Sequence, residues 1–103
     1  MGSVEVVDRG SQEIVVFLSG DIDDSMGRQL DLAIEEVASL EPPRVVVDLH
    51  DCTSLGPIGV QFLDALRRRG RLDGWEVGLS AISPAARTVL EQAGWIHPVL
   101  HSL

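Results

Sequence analysis

The stretch RVVVDLHDCTSLGPIGVQFLDALRRRG, residues 44–70, decides how this chain is read. Val45, Val46, Val47 and Leu49 form a near-continuous apolar run, the pattern of a strand covered on both faces. The loop 50–56 begins with polar residues and ends in Gly56. Pro57 is the type favoured at the first helical position, where its missing N–H removes no helical bond. A helix is therefore predicted over 57–69, with Gly70 as its stop. Strand, loop and helix in this order make one unit of an open α/β sheet. Partners and ligands of such sheets sit at the loops beyond the strand C-termini. Function is expected within 50–61.

Upstream, 4–7 and 13–18 read as two short strands around a hairpin loop carrying Gly10. The segment 19–25 reads as a turn rich in helix-capping types, and its three carboxylates suit a helix N-terminus. A helix is predicted over 24–40, with Leu30, Ala33, Ile34 and Val37 on one apolar face, ended by Glu41-Pro42-Pro43. Downstream, 75–81 alternates as a strand. Ser83 and Pro84 are an N-cap and first-turn pair for a helix over 84–93, whose apolar face is Ala86, Val89, Leu90 and Ala93. Gly94 and Trp95 fit a Schellman ending, with Trp95 over Leu90. The tail 96–103 is a candidate last edge strand, broken by Pro98. The fold class is α/β: one domain over 1–103, a mostly parallel β-sheet with an antiparallel edge strand, and amphipathic helices.

The chain carries a net charge of -8, and all eight basic residues are arginine. Twelve carboxylates face three arginines in 1–51, a balance of -9, against +1 in 52–103. A surface built from the first half repels nucleic acid and anionic membrane and suits a basic protein partner. Arg67, Arg68, Arg69 and Arg71 are read as charges favoured at a helix C-terminus rather than as a nucleic-acid patch. The single cysteine, Cys52, allows no internal disulfide and fits a reducing cytoplasm. No apolar run approaches a membrane span, and the start of the chain has no signal-peptide pattern.

Three patches resemble the STAS domain family, best known in the anti-sigma factor antagonists of bacteria. They are Leu18-Ser19-Gly20-Asp21-Ile22-Asp23, Val46-Val47-Asp48-Leu49, and the run Ile82-Ser83-Pro84-Ala85-Ala86-Arg87-Thr88-Val89-Leu90-Glu91-Gln92-Ala93-Gly94-Trp95. The resemblance implies a non-enzymatic module with no cofactor. It docks on an anti-sigma factor, often a serine kinase, and frees a sigma factor. The kinase reverses this by phosphorylating a Ser in a motif like D-S-S-G-[LI]-G at the helix start after the central strand. Counted from Asp48-Leu49, that motif falls on Gly56-Pro57-Ile58-Gly59-Val60-Gln61, so Pro57 and Ile58 stand where the serines are expected. Thr53 and Ser54 are the nearest hydroxyls, in the preceding loop.

The rival chemistries are weaker. His50, Asp51 and Cys52 are adjacent rather than spaced as metal ligands. No nucleophile elbow surrounds Thr53 or Ser54, and Asp48 is expected to bond loop N–H groups. Gly56-Pro57-Ile58-Gly59 lacks the Lys and hydroxyl of a phosphate loop. The expected function is an anti-sigma factor antagonist-like interaction module of the cytoplasm, whose partner surface is Asp21 and Asp23 with Ser54, Gly56, Pro57, Ile58, Gly59 and Gln61. The alternative is a STAS-type sensor holding a small anion or nucleotide at the start of the Pro57 helix.

Overall fold

The apolar run after Arg44 folds as an interior strand, β3 (Arg44–Asp48), in which Val45 and Val47 are fully buried. The computed structural model describes residues 1–10 and 13–97. Its other strands are β1 (Ser3–Asp8), β2 (Ile14–Ile22), β4 (Cys52–Leu55) and β5 (Glu76–Ser80). Its helices are α1 (Gly27–Ser39), entered through a 3-10 turn at Asp24–Met26, α2 (Pro57–Asp73) and α3 (Pro84–Gln92). The sheet order is β1-β2-β3-β5, with β4 joined to β2. β1 runs antiparallel to β2, from Ser3 opposite Ser19 to Asp8 opposite Ile14; all other pairings are parallel. This is the expected mostly parallel sheet with an antiparallel edge strand.

The core lies on one face of the sheet. Ile14, Val16 and Leu18 of β2 join Val45 and Val47 there, together with Leu30 and Val37 of α1 and Leu63 and Leu66 of α2. On the opposite face Val15 is buried but Phe17 and Val46 stay half-buried. β3 therefore alternates between full and partial burial. The expectation of a strand covered on both faces is corrected: three consecutive valines filled both pleat faces, but the helix packing closes only one.

Three further expectations change. The 19–25 turn is shorter than predicted, because Ser19 to Ile22 continue β2. The 50–56 loop contains β4, so Thr53 and Ser54 lie on a strand. The helix predicted to stop at Gly70 runs on to Asp73. Gly70 is buried inside α2, where a Cβ would run into the Trp75 carbonyl oxygen and lie 2.7 Å from its indole ring. Gly74, at φ 93, is the actual stop; the N–H groups of Gly74 and Trp75 both donate to the Gly70 carbonyl. The end of α3 is as predicted: Gly94 is at φ 80, its N–H donates to the Glu91 carbonyl at 3.2 Å, and the Trp95 N–H donates to that of Leu90 at 2.9 Å. Ala93, expected on the buried face, is exposed. Within the candidate edge strand 96–103, residues 98–103 lie outside the described residues, and Ile96 and His97 are not in a strand.

Gly70→Ala tests the close approach of α2 to Trp75. A solvent-facing Gly→Ala exchange in a helix gains roughly 1 kcal/mol, whereas forcing a methyl onto a backbone carbonyl typically costs 1–3 kcal/mol or more. The variant is expected to be destabilised in a urea titration; a stabilised variant would contradict the packing described.

Candidate functional site

The C-terminal ends of β2 and β4 and the starts of α1 and α2 form one rim. β4 is brought there by pairing with the last residues of β2, Gly20 opposite Cys52, Asp21 opposite Ser54 and Ile22 opposite Leu55. The register shifts between the first two pairs and leaves Thr53 as the extra residue. Its hydroxyl donates to Asp21 Oδ1 at 2.7 Å. The Gly56 N–H donates to the Ile22 carbonyl at 2.8 Å, which ties the start of α2 to the end of β2.

Gly59, having no side chain, lets α2 begin here with Leu55 and Ile22 packed against its backbone. A Cβ there would collide with Leu55 Cδ1 and lie 3.2 Å from Ile22 Cγ2. Gly59 is buried, so its part in the site is to seat the helix. Pro57 and Gln61 are exposed and Ile58 is half-buried. They form a ridge between two grooves. One groove, of about 540 Å³, lies against α3 and is lined by Leu55, Pro57, Val60, Val89 and Ala93 among others. The second, of about 330 Å³, lies against α1 and is lined by Leu30, Ile34, Ile58 and Phe62 among others. Gln61 borders both. Sequence reasoning missed Ala93 as a surface residue, because its helical spacing placed it on a core face; Val89 packs against the core as expected but stays half-buried and also lines the groove.

A buried serine holds the floor of the rim. Ser83, 9% exposed, caps α3 by accepting the Ala86 N–H at 3.2 Å, while its hydroxyl donates to the Cys52 carbonyl at 2.6 Å. Asp48 Oδ1 accepts the His50 N–H at 2.9 Å, the loop role expected for it. Burial pushes the Cys52 thiol above its ordinary value, which keeps it protonated and unreactive.

The rim is acidic. Asp21, Asp23, Asp24 and Asp51 are all exposed. Asp23 caps the turn before α1, and its carboxylate accepts the Ser25 hydroxyl and the Ser25 N–H. These bonds, the hydroxyl first, hold its pKa below the ordinary carboxylate value. The capping contribution is accordingly full above the ordinary value and disappears as pH falls through the lowered one. The helix start at Pro57 offers little to an anion. Pro57 has no N–H, and those of Gly59 and Val60 both reach the Gly56 carbonyl, at 2.9 and 3.4 Å. Among the described residues no group of three or more His, Cys, Asp or Glu side chains could hold a metal ion.

The rim therefore brings together Asp21, Asp23, Thr53, Ser54, Pro57, Ile58 and Gln61, with Gly56 half-buried at the junction and Gly59 beneath. A family model described as "Mlab, STAS domain" matches residues 5–101. The chain is similar to the crystal structure of an anti-sigma factor antagonist from Mycobacterium paratuberculosis, at 28% identity and a TM-score of 0.76, over 92% of this chain and 80% of that one. It shares its fold with the anti-sigma factor antagonist SpoIIAA in its unphosphorylated form, at 13% identity and a TM-score of 0.76, over 96% and 90% of the two chains. The same holds for an anti-sigma factor antagonist STAS domain from Rhodobacter sphaeroides, at 21% identity and a TM-score of 0.64, over 85% and 95%. No curated protein matches the chain.

Ser83→Ala is expected to destabilise the domain by about 1–3 kcal/mol, through loss of the α3 cap and a buried carbonyl left without its donor. Chemical denaturation measures it. A change within ~0.5 kcal/mol, the range of an ordinary surface substitution, would show that Ser83 does not anchor the rim.

Proposed function

The chain belongs to the STAS domain family, and from that premise we propose that it is an anti-sigma factor antagonist. It acts as a cytoplasmic binding module that occupies an anti-sigma factor and so releases a sigma factor. The observation that carries this reading is the rim itself. An exposed ridge of Pro57 and Gln61 stands between two partly apolar grooves, and exposed carboxylates crowd one side of it. Such a surface suits a partner that supplies apolar side chains for the grooves and basic residues for Asp21 and Asp23. The likeness to the mycobacterial antagonist supports the same role. A small-anion sensor is less well supported. Its proposed ligand would sit where Pro57 has removed one donor, two N–H groups are already used, and the Asp23 backbone lies close to Gly56.

In this reading the chain is not switched off by phosphorylation at the family's position. Pro57 and Ile58 have no hydroxyl to attack a γ-phosphate. Thr53 donates its hydroxyl to Asp21, whose charge disfavours a phosphate beside it. Ser54 is exposed on β4.

Two outcomes are expected. Asp23→Arg slows association with the anti-sigma partner about tenfold at low salt, with the difference shrinking as salt screens the rim. Asp23→Asn, which keeps a capping side chain, separates loss of charge from loss of the cap. Stopped-flow kinetics unchanged in both variants would place Asp23 outside the interface. In the second test, the chain is incubated with ATP and the partner, and mass spectrometry finds no phosphate while binding persists. Stoichiometric phosphate on Thr53 or Ser54, with loss of binding, would show that the switch has moved to β4.

A further inference from the structure

At the other end of the strands lies a second surface of opposite charge. β5 ends the sheet, and among the described residues no strand pairs with its outer edge. Val77 and Leu79 are the register partners of Val45 and Val47. Those two are fully buried, whereas Val77 and Leu79 remain half-buried. An edge strand presents unpaired N–H and C=O groups, and one more strand along β5 would pair them and cover Val77 and Leu79 further. A cleft of about 440 Å³ runs beside the same strand, lined by Trp75 to Gly78 and by Arg44, Arg67 and Arg71.

The arginines bracket the edge. Arg67 and Arg71 are one turn apart on α2. Arg44 extends over Gly78, with a guanidinium nitrogen 3.3 Å from where a Cβ would be. Among the described residues Arg44 and Arg71 make no ion pair, and Arg67 has a 3.5 Å pair with Asp64 while its guanidinium stacks 4.0 Å from the centre of the Trp95 ring. Among the described residues, Glu76 is the only carboxylate lining the cleft. Trp75 also lines the cleft, and its buried indole N–H has no partner among the described residues.

We propose that the outer edge of β5, with Arg44, Arg67 and Arg71, is a second protein-binding surface, which takes an extended carboxylate-bearing segment of a partner polypeptide as an added strand. The exposed backbone of an edge strand recognises extended chain by main-chain hydrogen bonding, and arginine recognises carboxylate through paired N–H donors. Apolar residues of the segment would cover Val77 and Leu79 on the face shared with α2, while the acids alternating with them meet Arg44 on the opposite face, beside Gly78. The chain's net negative charge does not prevent this, since screening confines the field to about 8 Å at physiological salt. Residues 98–103 of the chain itself read Pro-Val-Leu-His-Ser-Leu and carry no acidic side chain to complement the arginines.

The test is hydrogen exchange on the full chain, alone and with three probes: a short peptide alternating glutamate and valine, its lysine–valine counterpart, and inorganic phosphate. The glutamate peptide is expected to slow exchange at β5 and to bind more weakly as salt rises; the other two probes leave β5 unchanged. Arg44→Ala is expected to weaken the peptide about tenfold, the loss of one charge-assisted hydrogen bond, without altering the melting transition. Equal protection by the lysine peptide would overturn the proposal, as would equal protection by phosphate, which would mark a simple anion site. So would full protection of β5 in the free chain, which would mean that the chain's own residues already occupy the edge.

Discussion

The contact of Gly59 with Leu55 and Ile22 is the constraint on which the rim depends. Helix α2 starts directly on the ends of β2 and β4, so close that a Cβ at Gly59 would have to displace the buried Leu55 side chain. From this approach follow the Gly56–Ile22 hydrogen bond, the exposure of Pro57 and Gln61, and the two grooves beside them. Ser83 completes the arrangement from below. A hydroxyl that is nearly out of water must satisfy both its donor and its acceptor capacity, and it does so by tying the start of α3 to β4. The rim is thus held by packing and buried polar bonds, while the groups it presents outward are left free to meet a partner.

Much of this was legible in the chain because local chemistry and global fold agree. Ser83-Pro84 at one end of α3 and Gly94-Trp95 at the other specify a helix from capping alone, and the structure realises both caps. β3 could be placed by its valines. What could not be read depends on contacts distant in sequence. β4 is four residues, Cys-Thr-Ser-Leu, too short to show a strand pattern of its own, and it forms where the end of β2 lies alongside it. Ser19-Gly20-Asp21 has turn chemistry and is held extended by the same pairing. Gly70 and Gly74 are equally good helix stops on paper. Only the position of Trp75 shows that the first is needed for close packing and the second for a left-handed turn. Val89 and Ala93 repeat with Ala86 and Leu90, and periodicity alone could not reveal that α3 leaves Ala93 exposed and Val89 half-buried along a groove.

The two ends of the domain are chemically unlike. Exposed aspartates gather where β2 and β4 end, and arginines gather where β3 and β5 begin. A single net charge of -8 conceals this separation. Surface charges of this kind add little to stability, because solvent screens them. Their effect is on which molecules approach which end, and how fast. Arg69 bonds two carboxylates, Asp73 at 3.0 Å and Glu35 at 3.1 Å, linking α2 to α1 away from the cleft. Its guanidinium is held firmly charged by these two carboxylates, Asp73 first.

The central claim is that the rim around Pro57 meets an anti-sigma factor. The direct measurement is hydrogen exchange on the chain in complex with the partner that co-purifies from the source cell. The account predicts slowed exchange at the end of β2, along β4 and through the first turns of α2, and it predicts that the partner is a sigma-regulatory protein. Protection confined to β1 or to the back face around Phe17 and Val46, with the rim exchanging as in the free chain, would contradict it.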